Sequence, residues 1–77
     1  MTDPLADIHP STRNLLDYFT YGHLPPHLAD ISRPFSELAE QIALRSAFGA
    51  NGPETTAALR KLLEAKDCAV RAALPSR

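Results

Sequence analysis

The residues best able to do chemistry are cations in the last third of the chain. Lys66 lies in residues 52–74, where Leu59, Leu62, Leu63, Val70 and Ala73 fall on one stripe at about 100° per residue. Lys66 falls among them. An unpartnered buried ammonium is costly, so Lys66 either snorkels, stem on the leucines and head in water, or faces an anion held between chains. Arg71 belongs to a charged arc with Arg60, Glu64 and Asp67. Asp67, four residues earlier, offers it an ordinary surface salt bridge. If chains pack around this end, copies of Arg71 converge instead, and a guanidinium cluster binds phosphates well.

Three of the five aromatic residues, Tyr18, Phe19 and Tyr21, fall within four positions. Such a cluster either presents a ring that stacks on a nucleobase or closes the end of a helical pair. Phe19 suits the closing role, and Tyr21, just before Gly22, is the ring expected to face outward. His23 and His27 stand one turn apart and resemble a metal pair only weakly; solvated or turn-capping roles come first. Cys68 projects opposite the leucine stripe near Lys61, with no base beside it in sequence, and reads as an inert thiol. His9, His23 and His27 occur with Asp7, Asp17 and Asp30, but no nucleophile elbow, phosphate loop or HExxH motif accompanies them. The chain is therefore expected to be no enzyme, to hold no metal and to need no cofactor.

These residues are positioned by an expected all-α chain. Residues 1–10 read as a flexible lead, and residues 11–75 as a single domain. Ser11 caps a short helix from Thr12 to Phe19 with Leu15, Leu16 and Phe19 on one side. Thr20–Pro26 is a turn, and the two prolines suit the first positions of the next helix, Pro26 to Ala47. In it Leu28, Ile31, Phe35, Leu38 and Ile42 alternate by three and four as a heptad-like seam, which Pro34 interrupts and should kink. Residues 47–52 reverse the chain, with Gly49 as a left-handed stop and Pro53 in the first turn of the last helix; Pro75 closes it. The expected architecture is a short N-terminal helix followed by a kinked antiparallel helical hairpin. On the last helix Ala58, Ala65 and Ala72 recur every seven residues beside the leucines. The apolar arc is then too wide for one partner helix, which points to an intermolecular contact and an oligomer.

Length supports the same expectation. Seventy-seven residues form one small domain with a modest core, and the single cysteine excludes an internal disulfide. No apolar run is long enough to span a membrane and no secretory leader is evident, so a reducing cytoplasm is expected. The net charge of −1 is unevenly placed: residues 1–44 hold two basic and six acidic side chains, residues 45–77 six and three. That balance argues against binding duplex nucleic acid, and it suits head-to-tail packing or a local anion site at the basic end.

Three runs carry a resemblance: Tyr21-Gly-His-Leu24, Leu38-Ala-Glu-Gln-Ile42 and Ala69-Val-Arg-Ala-Ala73. Through them residues 19–74 resemble the small phage-encoded cyclic-oligonucleotide sponges that counter CBASS immunity. The runs His-Leu-Pro-Pro-His-Leu (23–28) and Leu-Leu-Glu-Ala-Lys-Asp (62–67) look like those of distant, actinobacteriophage-type members. The resemblance implies a homo-oligomer, a compact hexamer, that sequesters cyclic di- or trinucleotides between subunits without cleaving them, in the host cytoplasm. It implies that Tyr21 stacks on a base and that Arg71 grips trinucleotide phosphates. Where the family has a lysine on the long helix for the dinucleotide phosphate, this chain has Ser36. Arg33, three residues earlier on the same side, is the candidate substitute. Lys66 has no counterpart in that pattern and rests on the helical stripe alone. The competing expectations are a helical hairpin that docks on another protein through its apolar face, and, less well supported, a small DNA-binding regulator.

Overall fold

A computed structural model describes residues 9–47 and 51–74. The described residues are helical or in turns, with no strand among them: α1 (Pro10–Leu16), a 3-10 turn (Asp17–Phe19), α2 (Pro26–Ala47) and α3 (Gly52–Ala72). The 1–8 part of the expected lead, the Gly49 stop and Pro75 lie outside the described residues.

Helix α1 begins two residues earlier than the Ser11 cap implies. His9 is its N-cap, with Nδ1 accepting from the Ser11 backbone N–H at 3.1 Å, and Pro10 takes the first helical position, where its missing N–H costs nothing. The helix tightens into the 3-10 turn, whose last residue Phe19 is 1% exposed, so it closes the core as its spacing implies. The bounds of α2 are those the sequence implies, Pro26 to Ala47, and Pro34 lies inside it. In α3, Asn51 is the N-cap: its side chain accepts from Glu54 N–H at 2.9 Å, and its backbone carbonyl accepts from the Thr55 hydroxyl at 2.7 Å.

The face that α2 buries is turned from the expected seam: Leu28 is in the core and Phe35 and Ile42 pack against it, but the centre of the buried face is made of small residues. Ser32, Ala39 and Ala43 are fully buried and Leu28 nearly so, whereas Ile31, Phe35 and Ile42 are only half-buried and Leu38 is 45% exposed. Small residues at 32, 39 and 43 let the backbones approach, so the knobs filling the space come from elsewhere: Phe19 and Leu59, the two largest fully buried side chains. Burying Phe19 and Leu59 contributes about 1.5–3 kcal/mol each. Choosing the face by apolar count alone misses this, because a stripe of alanines next to two large knobs packs more closely than one of leucines and isoleucines.

The first helix lies along α3 in the same direction. The Thr12 and Thr56 hydroxyls are hydrogen-bonded at 3.2 Å near its start, and Tyr18 meets Lys66 farther on. That pairing lets Thr12 be 2% exposed without leaving its hydroxyl unsatisfied.

Candidate functional site

Where the 3-10 turn, the following loop and the last two turns of α3 meet, they enclose an open groove of about 370 Å³. Tyr18, Thr20 and His23 form one wall, and Lys66, Asp67 and Arg71 the other. Helical spacing on α3 explains the second wall: residues 66 and 70, and 67 and 71, stand one turn apart, so all four share one side of the helix.

Lys66 takes neither of the two roles its sequence position suggests. Its side chain is 13% exposed, and Nζ donates to the Tyr18 backbone carbonyl at 2.9 Å and to Asp67 Oδ1 at 3.1 Å. The carbonyls at the end of a helical turn have no partner within that turn, and a cation there also meets the negative end of its dipole. Lys66 is therefore a bolt from α3 to the end of the 3-10 turn. It stands among leucines because that is where the turn's C-terminal end rests.

Engaging Lys66 changes the partners of its neighbours. Asp67 pairs with it rather than with Arg71, and the Arg71 guanidinium donates instead to Cys68 Sγ at 3.4 Å. Arg71 is exposed on the groove wall, in contact with a soft sulfur instead of a carboxylate. Two cations and two carboxylates, Asp17 and Asp67, line the groove, so a single chain gives it little net positive potential. Arg71 is the group there best placed to take an incoming anion.

The aromatic residues divide differently from expectation. Tyr18 is the outward ring, 63% exposed beside the groove, while Tyr21 is half-buried with the Arg33 guanidinium 5.7 Å from its ring centroid. Arg33 also bonds Asp30 Oδ1 at 2.6 Å. That hydrogen bond and charge, with a smaller contribution from Tyr21, raise the guanidinium pKa above its ordinary value. Helical period could have singled out Tyr18: it stands one residue before the buried Phe19, on the outer side of the same turn.

Thus the structure brings Lys66 and Arg71 together in the groove, and Tyr21, in the loop before α2, together with Arg33, two turns into that helix. The 20–25 loop joins the two pairs, sending Thr20, His23 and Leu24 to the groove and Tyr21 beneath Arg33. Ser36, half-buried on α2, lines neither. His27 is exposed in the first turn of α2, and no group of three metal-ligating side chains forms among the described residues. A second cavity, about 290 Å³ between His9, Thr12, Gly52 and Thr56, is lined by no lysine or arginine. No helix among the described residues is long and apolar enough to cross a membrane.

A scan against protein-family models gives no match, and comparisons with curated proteins and with solved structures give none either.

Proposed function

We propose that this chain is a non-enzymatic sponge that holds cyclic di- or trinucleotides at sites completed where copies of a homo-oligomer meet. The observation that carries the reading is the convergence on one groove of an open aromatic ring, Tyr18, a hydroxyl, Thr20, and the cation Arg71. A stacking surface, a hydrogen-bonding group and a guanidinium are what a base-and-phosphate ring requires. The Tyr21–Arg33 pair offers a second ring and cation across the same loop, though Asp30 already holds one face of that guanidinium. Lys66 serves by fixing the groove wall more than by touching ligand.

The balance of two cations and two carboxylates leaves one groove a weak hold on an anion. Copies that turn their Arg71 guanidinium groups toward a common axis, each with Asp67 kept by its own Lys66, gather positive charge there; a hexamer is the assembly that the family likeness suggests. The scaffold we infer is an antiparallel hairpin of α2 and α3. A connection of residues 48–51 is too short to let two packed helices run in the same direction. A kink at Pro34 follows from the hydrogen bond that proline cannot make.

Titration calorimetry of the full chain against cyclic di- and trinucleotides tests the proposal. Micromolar or tighter binding to at least one ring is expected, and Arg71→Ala and Tyr18→Ala should each weaken it about tenfold while helicity is retained. Absence of heat with every ring size refutes it. The second reading, a module that docks on another protein, is favoured by the exposure of Leu38 and Leu74. It predicts no nucleotide binding.

A further inference from the structure

Beyond its ligand, the molecule carries an apolar face whose shape specifies its own partner. Leu38 and Ile42 stand one residue before and three after the buried Ala39. Ala58 and Leu62 stand one before and three after the buried Leu59. In an antiparallel helix pair, equal offsets from the buried residue lie on the same side of the plane of the two axes. These flanks therefore share one face of the α2–α3 pair. Helix α1 meets α3 on the other flank: Thr12 bonds Thr56, which stands three residues before Leu59 and so on the side away from Ala58 and Leu62.

The shared face has relief. On α2 it is a ridge of large side chains, with Leu38 45% exposed between half-buried Ile31 and Ile42. On α3 it is a furrow, because Ala58, Ala65 and Ala72 are all exposed and carry only methyl groups. We propose that this face is the contact between two copies of the chain. They are related by a twofold axis parallel to the helices, so that the α2 ridge of each lies in the α3 furrow of the other.

Three features select a second copy over another occupant. The first is self-complementarity: that axis seats ridge in furrow twice, and counting from the connection in both directions brings Leu38 level with the gap between Ala58 and Ala65. The second is charge. The same axis sets exposed Arg45, in the last turn of α2, against exposed Glu54, in the first turn of the partner's α3, because both lie at the connection end and on the outer rim. The third is area. Two adjacent helices of about 31 Å by 10 Å present roughly 600 Å². Specific interfaces begin at about 600 Å² from each partner, so only an occupant covering the face end to end reaches that bound, and an identical helix pair has that length.

This inference does not rest on the ligand; a dimer that binds no nucleotide leaves it standing. Its test is sedimentation velocity of the full chain over a concentration series, with circular dichroism as the folding control. The wild type should show a reversible dimer or a larger assembly built from dimers. Leu38→Glu and Ala65→Glu, both at exposed positions that a folded monomer tolerates, should weaken association by roughly 100-fold, since each places an unpaired carboxylate inside the contact. Arg45→Glu should weaken it less, and Arg45→Glu combined with Glu54→Arg should restore it. A single-chain mass at every concentration overturns the proposal, as does an assembly that both glutamate substitutions leave intact. Should either variant lose helicity, Leu38→Gln and Ala65→Ser replace them with the same expected direction, and unchanged association in those variants likewise overturns it.

Discussion

Replacing Lys66 by methionine isolates what its ammonium does, since methionine keeps an unbranched stem against the leucines and removes only the charged head. In the folded chain that head makes two contacts, 2.9 Å to the Tyr18 carbonyl and 3.1 Å to Asp67 Oδ1, from a side chain 13% exposed. Asp67 is 46% exposed, so its ion pair is screened and contributes under about 1 kcal/mol. The bond to the Tyr18 carbonyl is charge-assisted and sheltered, in the class worth about 1.5–3 kcal/mol, and removing it leaves the end of the 3-10 turn without that partner. Against this, methionine avoids desolvating an ammonium. The net expectation is a loss of about 1–2 kcal/mol, which for a domain of this size lowers Tm by about 4–15 °C. Thermal unfolding followed by circular dichroism measures it, with Asp67→Asn in parallel. Asp67→Asn should cost much less than Lys66→Met if the backbone carbonyl is the principal partner. A Lys66→Met protein as stable as the parent, or more stable, would show that the ammonium merely snorkels, and the bolt between α3 and the 3-10 turn would be discarded. The same variant should also loosen the groove, because the turn that carries Tyr18 and Thr20 is what Lys66 holds.

Leu59→Ala removes a fully buried side chain that fills the space left by Ala39 and Ala43. It should cost about 2–5 kcal/mol and leave so small a domain largely unfolded at 25 °C, read as loss of the cooperative transition in a urea titration. Ser32→Ala should act in the opposite direction. The Ser32 hydroxyl is fully buried with no hydrogen-bond partner among the described residues, so deleting it should raise the urea midpoint, by up to about 1 kcal/mol of stability. A lowered midpoint would mean that the hydroxyl is satisfied after all.

Much of the local structure was legible in the chain itself. The double proline and the apolar period set the bounds of α2, and the spacing of Leu15, Leu16 and Phe19 put Phe19 in the core. These are effects of neighbours a few residues apart, which sequence states directly. The first cap was less legible, because a histidine ahead of Pro10 competes with the more usual Ser11, and the His9 ring wins by bonding both the Ser11 amide and its hydroxyl.

The chain fixed the kinds of groups available: a lysine among leucines, an arginine near the end of the last helix, a knot of aromatics at a turn. Tertiary structure decided their partners. Lys66 meets a carbonyl 48 residues away, and that contact takes Asp67 from Arg71 and turns Arg71 to Cys68. Tertiary packing also chose which side of α2 faces inward. The close approach of two backbones favoured Ser32, Ala39 and Ala43 over the larger side chains, and it left Leu38 in the open. Helical period tells which residues share a side. Which side is covered depends on the steric fit between segments far apart in the chain, and no local pattern encodes that.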